Sequence, residues 1–140
     1  MDFAKATLGK RFKHVQKLFL KILRRRCENR EWDKFRGNKN YFFNFLPFHL
    51  NSAQMWEELL RLSFDFHWLY QKVKQTNMPS LISDFRFIGN ESYEIKLLKS
   101  SLMLSADVME KNPDFIGPQL LGNKMSYIVI SNYQSRTSVL

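Results

Sequence analysis

The sequence predicts an all-α fold: a small antiparallel bundle or array of about five to seven helices with an irregular C-terminal tail. Three observations predict it. Apolar residues recur at steps of three and four through most of the chain, the period of a helix with one buried face. The stretch from Tyr41 to Val73 places many large rings in that period, and 13 phenylalanines give the core bulk. Breakers such as Gly37, Asn77-Met78-Pro79 and Asn112-Pro113 punctuate the apolar stretches, so the helices are short and joined by short turns.

Leu8, Phe12, Val15, Phe19 and Ile22 form the first stripe, widened by Leu18 and Leu23, and predict an amphipathic helix from about Ala4 to Cys27. Residues 36–40 read as a polar loop with Gly37 as breaker. A second helix is expected from Asn40 or Tyr41. Proline costs about 3 kcal/mol in a helix interior, so Pro47 predicts a kink or a fresh start. Asn51-Ser52 could open the next helix, although the pattern from His49 to Met55 could equally continue. Trp56, Leu59, Leu60 and Ser63 share a helical face, with Glu57 and Arg61 spaced for an i,i+4 pair. Asp65 is placed to cap a helix from Phe66 to Lys74 that carries Trp68, Leu69 and Val73 inward. Pro79 suits the first turn of a helix over Ser80 to Phe87, ended by Gly89-Asn90. Residues 91–111 carry Ile95, Leu98, Leu102, Ser105 or Ala106, and Met109 on one face. Asn112-Pro113 ends that helix, and a last short one over Pro113 to Leu121 is closed by Gly122-Asn123. Residues 124–140 read as a short unpartnered strand or a disordered tail.

The 140 residues suit one domain, divided into a basic helix and loop over 1–39, a helical body over 40–123 and a tail over 124–140. No apolar run approaches the ~20 residues that cross a bilayer. The N-terminus lacks the compact apolar stretch and cleavage site of a secretory signal, and no junction marks off a mitochondrial targeting segment. Cys27 is the single cysteine, which excludes an internal disulfide and points to a reducing, cytoplasmic location. Charge is uneven. Residues 1–39 hold 13 Lys/Arg against 4 Asp/Glu, so the whole net charge of +9 resides there. A basic helix is joined to a neutral body, unlike a uniformly basic nucleic-acid-binding domain.

Reaction chemistry finds no footing in the sequence. His14, Cys27, His49 and His67 match no zinc spacing and read as packed or half-exposed side chains, so no metal or other cofactor is expected. Glu57 and Glu58 are helix neighbours that point apart, which suits solvated surface better than acid–base work. No G-x-S-x-G is present, and an enzyme is rejected. Tyr41, Phe42, Phe45, Trp56, Phe66 and Trp68 are candidates for core or interface. For the group Trp56, Phe64, Phe66, Trp68 and Tyr70, helical spacing favours core over an exposed peptide or base platform. Lys10, Lys13, Lys17, Lys21, Arg24 and Arg25 form a basic stripe. A solvated face competes there with binding to an anionic membrane surface, to calmodulin or to phosphates. Nothing supplies base-specific readout, so no specific nucleic acid is expected.

Six motifs carry a resemblance: QKLFLKILRRRCENREWD (16–33), YFFNFLPFHL (41–50), WEELLRLSFDFHWLYQKV (56–73), SLISDF (80–85), IKLLKSSLMLSADVMEKNP (95–113) and QLLGN (119–123). Across Val15 to Gly122 the chain resembles the helical segment of apoptotic protease-activating factor and related NACHT and NB-ARC ATPases. In those proteins the segment lies between the winged-helix part and a WD-repeat propeller. The resemblance implies that residues 14–33 are the last winged-helix helix and that 41–122 are the helical linker. No Walker A sequence and no WD repeats are present. Residues 1–13 and 124–140 depart from the pattern, and the chain is expected to be a fragment or a truncated paralogue. What the resemblance implies is a non-catalytic scaffold or spacer. Its partner would be another protein, a full-length ATPase relative or a second copy. The alternative is a basic peripheral binder of anionic membrane or calmodulin through residues 4–26.

Overall fold

The computed structural model describes residues 3–88 and 92–115, with side chains from Leu8 onward. Within them the fold is all-α. Seven α-helices follow in order: α1 (Phe3–Arg25), α2 (Lys39–Ser52), α3 (Trp56–Ser63), α4 (Phe66–Gln75), α5 (Met78–Asp84), α6 (Tyr93–Leu104) and α7 (Ala106–Lys111). The sites expected to end the fifth helix (Gly89-Asn90) and to close the last one (Gly122-Asn123), and the tail 124–140, lie outside the described residues.

Local chemistry sets the boundaries. Asn38 caps α2 by accepting from the Tyr41 N–H, and Asp65 caps α4 by accepting from His67 and Trp68. Asn77 caps α5, which begins at Met78 with Pro79 in its first turn. The α1–α2 loop folds through two 3₁₀ turns, Glu28–Arg30 and Trp32–Lys34, with Asn29 and Arg30 in the left-handed region. A Cβ on Gly37 would lie 2.5 Å from the ring of Phe35, itself buried and stacked on Phe42 at 4.0 Å. Close approach therefore fixes glycine at this position.

Three expectations are corrected. No fresh helix starts at Pro47: α2 runs through it to Ser52. The missing Pro47 N–H leaves the Phe43 carbonyl without its helical partner. Lys72 of α4 reaches across and donates from Nζ to that oxygen. Asn51-Ser52 closes α2 instead of opening α3, because Gln54 takes a left-handed conformation (φ 57). The pattern over 91–111 is split at Ser105 into α6 and α7, yet Ile95, Leu98, Leu102, Ser105 and Met109 are all buried, as their shared face predicts.

The core lies where α2, α4 and α5 meet, extended by α6 and α7. Phe43 stacks on Trp68 at 4.9 Å and Phe42 meets the same indole edge-on at 6.0 Å. Leu46, Leu50, Leu69, Met78, Leu98 and Leu102 close around them. Each such side chain contributes roughly 1.5–3 kcal/mol on full burial, which holds short helices together without a disulfide.

Candidate functional site

The basic helix meets the body by its flank. Among the described side chains of α1, from Leu8 onward, Leu20 and Leu23 alone are buried; Phe19 packs beside them, and Gln16 accepts at 2.7 Å from His49 Nδ1. Of the stripe expected from the sequence, Phe19 and Leu23 pack as expected and the other five residues are turned away. Leu8, Phe12, Val15, Leu18 and Ile22 are between 46% and 63% exposed. From Leu8 to Leu18 no side chain is buried. Of the basic stripe, Lys10, Lys17, Lys21 and Arg25 are exposed and Lys13 is half-buried.

Arg24 is not available in the same way. Its Nη1 donates to Glu58 at 2.9 Å, its Nε donates to the Arg30 carbonyl, and its guanidinium lies 4.7 Å above the Trp32 ring. Glu58 also accepts from the Trp32 indole at 2.9 Å. This corrects the reading of Glu57 and Glu58 as solvated surface: Glu57 is exposed, but Glu58 ties α1, the loop and α3 together. Glu57 carries no ion pair to Arg61 among the described residues.

The aromatics divide between core and surface. Phe42 and Trp68 are core. Phe66 is half-buried, as are Phe64 and Tyr70. Trp56 is open on α3, whereas Tyr41, Phe45 and Phe48 line an outer face of α2. That face is continuous: the Tyr41 and Phe45 rings lie 4.9 Å apart, and Phe48 lies 6.4 Å from Phe87. Buried His49 is its hub, with ring contacts to Phe19 (4.8 Å), Phe48 (5.4 Å) and Tyr41 (6.0 Å). Burial holds its pKa below the usual histidine value and keeps the ring neutral. It then donates from Nδ1 to Gln16 and accepts at Nε2 from the Tyr41 hydroxyl at 2.9 Å.

Sequence reasoning missed Lys72, which is fully buried. Besides the Phe43 carbonyl it faces Asp84 Oδ2 at 3.0 Å. Desolvation pushes the lysine down and the Asp84 carboxyl up to about 6, only partly opposed by their mutual attraction. Pro47, with one helical carbonyl left over beneath it, was the available signal. The buried Cys27 thiol is pushed up to about 11 by desolvation and donates to the Leu23 carbonyl, so it is held as thiol at neutral pH. Among the described residues, no three His, Cys, Asp or Glu side chains gather in a way that could hold a metal ion.

Among the described residues, the stacked short helices define an all-α helical domain. The family model of the APAF-1 helical domain matches residues 12–127, and the chain belongs to this family. The match covers the whole span of the resemblance, Val15 to Gly122. No curated protein and no solved structure matches the chain.

Proposed function

We propose that this chain is a non-catalytic interaction module, the counterpart of the spacer that sets a sensor domain against an ATPase in apoptosome-type signalling proteins. It works in the cytoplasm and binds a second protein, either a full-length relative of the family or another copy of itself. One observation carries the reading: the open face of Tyr41, Phe45 and Phe48, built on the same helix that supplies Phe42 and Phe43 to the core. Rings presented on a rigid element lose little conformational freedom on docking, and such rings dominate protein interfaces. Family membership supports the spacer role.

The test pairs the full chain with a full-length family member in size-exclusion chromatography with light scattering. Complex formation, or a concentration-dependent dimer, is expected and should be lost in Phe45→Ser/Phe48→Ser. A complex that the double variant leaves unchanged would move the interface elsewhere. A monomer that binds no relative would sink the reading.

A further inference from the structure

The chain has a second open apolar surface, on α1. Side chains advance by about 100° per residue around a helix. Leu8, Phe12, Val15, Leu18 and Ile22 therefore share one face, and Lys10, Lys13, Lys17 and Lys21 share the opposite one. The buried contacts, Leu20 and Leu23, fall about a quarter turn from both. Docking by the flank takes up Phe19 on this face and leaves Leu8, Phe12, Val15, Leu18 and Ile22 open, over about 21 Å from Leu8 to Ile22. Between Phe3 and Arg26 the sequence has nine Lys/Arg and no Asp or Glu.

We infer that α1 is an interfacial anchor whose apolar stripe beds into the surface of an anionic lipid bilayer. Three occupants compete for the face. A second copy would bring two acid-free helices of the same high positive charge together, and like charge opposes that association. A groove that closes round the helix, as calmodulin does, meets the body: α2 already occupies the flank at Gln16, Leu20 and Leu23. A flat surface touches only the open face and clears the body. Negative headgroups then complement the cations. Arg25 borders the stripe and Arg11 lies within its arc, and these two and the four lysines can reach headgroup level through their long apolar stems. No helix among the described residues is long and apolar enough to cross a membrane, so α1 lies in the interface. The inference is independent of the α2 face, because it uses other residues and another class of partner.

The test is flotation of the full chain with phosphatidylcholine vesicles, with and without a minor share of phosphatidylserine. Binding to the anionic vesicles is expected, roughly tenfold or more tighter than to neutral ones, weakening between low and physiological salt. Phe12→Ser/Val15→Ser should lower the affinity roughly tenfold or more while its thermal unfolding stays that of the parent. A spin label at Val15→Cys should be immersed in lipid and one at Lys17→Cys should remain in water. The proposal is overturned if the folded chain ignores anionic vesicles, if the double variant binds as the parent does, or if both labels are equally immersed. A dimer in light scattering that Phe12→Ser/Val15→Ser dissolves would give the face to a second copy, and would overturn it too.

Discussion

Lys72 and Lys17 sit on helices of similar polarity and end in opposite situations. Lys72 is fully enclosed at the junction of α2, α4 and α5, against the Phe43 carbonyl and Asp84. Lys17 stands in solvent on α1. The difference lies in what faces each one. Pro47 strips α2 of one backbone donor, and a cation that fills the gap becomes structural. Lys17 on α1 meets no such deficit and stays in solvent, whereas Arg24 on the same side is drawn to the Glu58 carboxylate. A positive charge on a helix is thus assigned to fold or to surface by the groups opposite it.

Breaking the enclosed junction should have the largest effect. Lys72→Met leaves Asp84 buried without the cation it pairs with and the Phe43 carbonyl with no donor. The loss of stability should be about 3–5 kcal/mol in urea unfolding. Lys72→Met/Asp84→Leu should recover much of it, because an apolar pair of matching volume needs no desolvation. Pro47→Ala sharpens the argument. With an N–H restored at residue 47, the helix can satisfy Phe43 itself, and Lys72→Met should then cost at least about 1 kcal/mol less than in the proline background. A cycle with no coupling would separate Lys72 from the proline.

The same junction sets a pH dependence of intermediate size. The Asp84 carboxyl titrates at about 6 in the fold and near 3.9 when unfolded. Between those values the folded state keeps a proton that the unfolded chain releases, so this group's contribution to stability falls as pH rises through that window. His49, depressed by burial, works the other way below its ordinary pKa. The comparison that isolates Asp84 is parent against Asp84→Asn: the difference in unfolding free energy should decline from about pH 4 to about pH 6, by on the order of 2 kcal/mol. A flat difference would mean that Asp84 is not desolvated as the geometry requires.

Glu58 comes next. Glu58→Ala leaves the Trp32 indole and the Arg24 guanidinium without their shared acceptor. Trp32 is buried, whereas the Arg24 side chain is 39% exposed and can be resolvated. A loss of about 1–2 kcal/mol is expected, nearly all from the indole. Lys10→Ala, on the free face, should change stability by less than about 0.5 kcal/mol.

These contrasts mark what the sequence could disclose. Periodicity located the helices, and the cap at Asp65 stood out because an Asx residue directly preceded an apolar repeat, whereas Asn77 was read as a stop and proved to be the cap of α5. The inward face over 91–111 survived even though the helix breaks at Ser105, since both short helices keep the same side to the core. The run of α2 through Pro47 was hidden because the group that rescues it is 25 positions away, on a helix whose own pattern treats Lys72 as an ordinary polar residue. The division of the rings was hidden for a related reason. Tyr41, Phe42, Phe43 and Phe45 are alike in sequence, and only the placement of α1, α4 and α5 round α2 decides which are enclosed. The orientation of α1 was the least legible, because only Phe19 and Leu23 of its apolar stripe pack, together with Leu20 from the flank.

The two halves of α1 provide the last and smallest contrast in stability, and the largest in motion. Residues 16–25 are held through Leu20, Leu23 and the Gln16–His49 bond. Residues 8–15 contribute no buried side chain. A helical stretch of that length has little stability of its own in water, since isolated helices below ~12–15 residues are marginal. Its amides should exchange close to the rate of local fraying, while those of Leu46 and Leu50, on a helix packed from several sides, should exchange only on global unfolding. Phe12→Ser/Val15→Ser should move the global unfolding free energy by less than about 0.5 kcal/mol, because both side chains keep half or more of their surface in water and neither enters the core. Anionic vesicles should then slow exchange over residues 8–15 in the parent and not in the variant. Strong protection of these amides in the free protein would show that something already covers the stripe, and the contrast between the two halves of α1 would disappear.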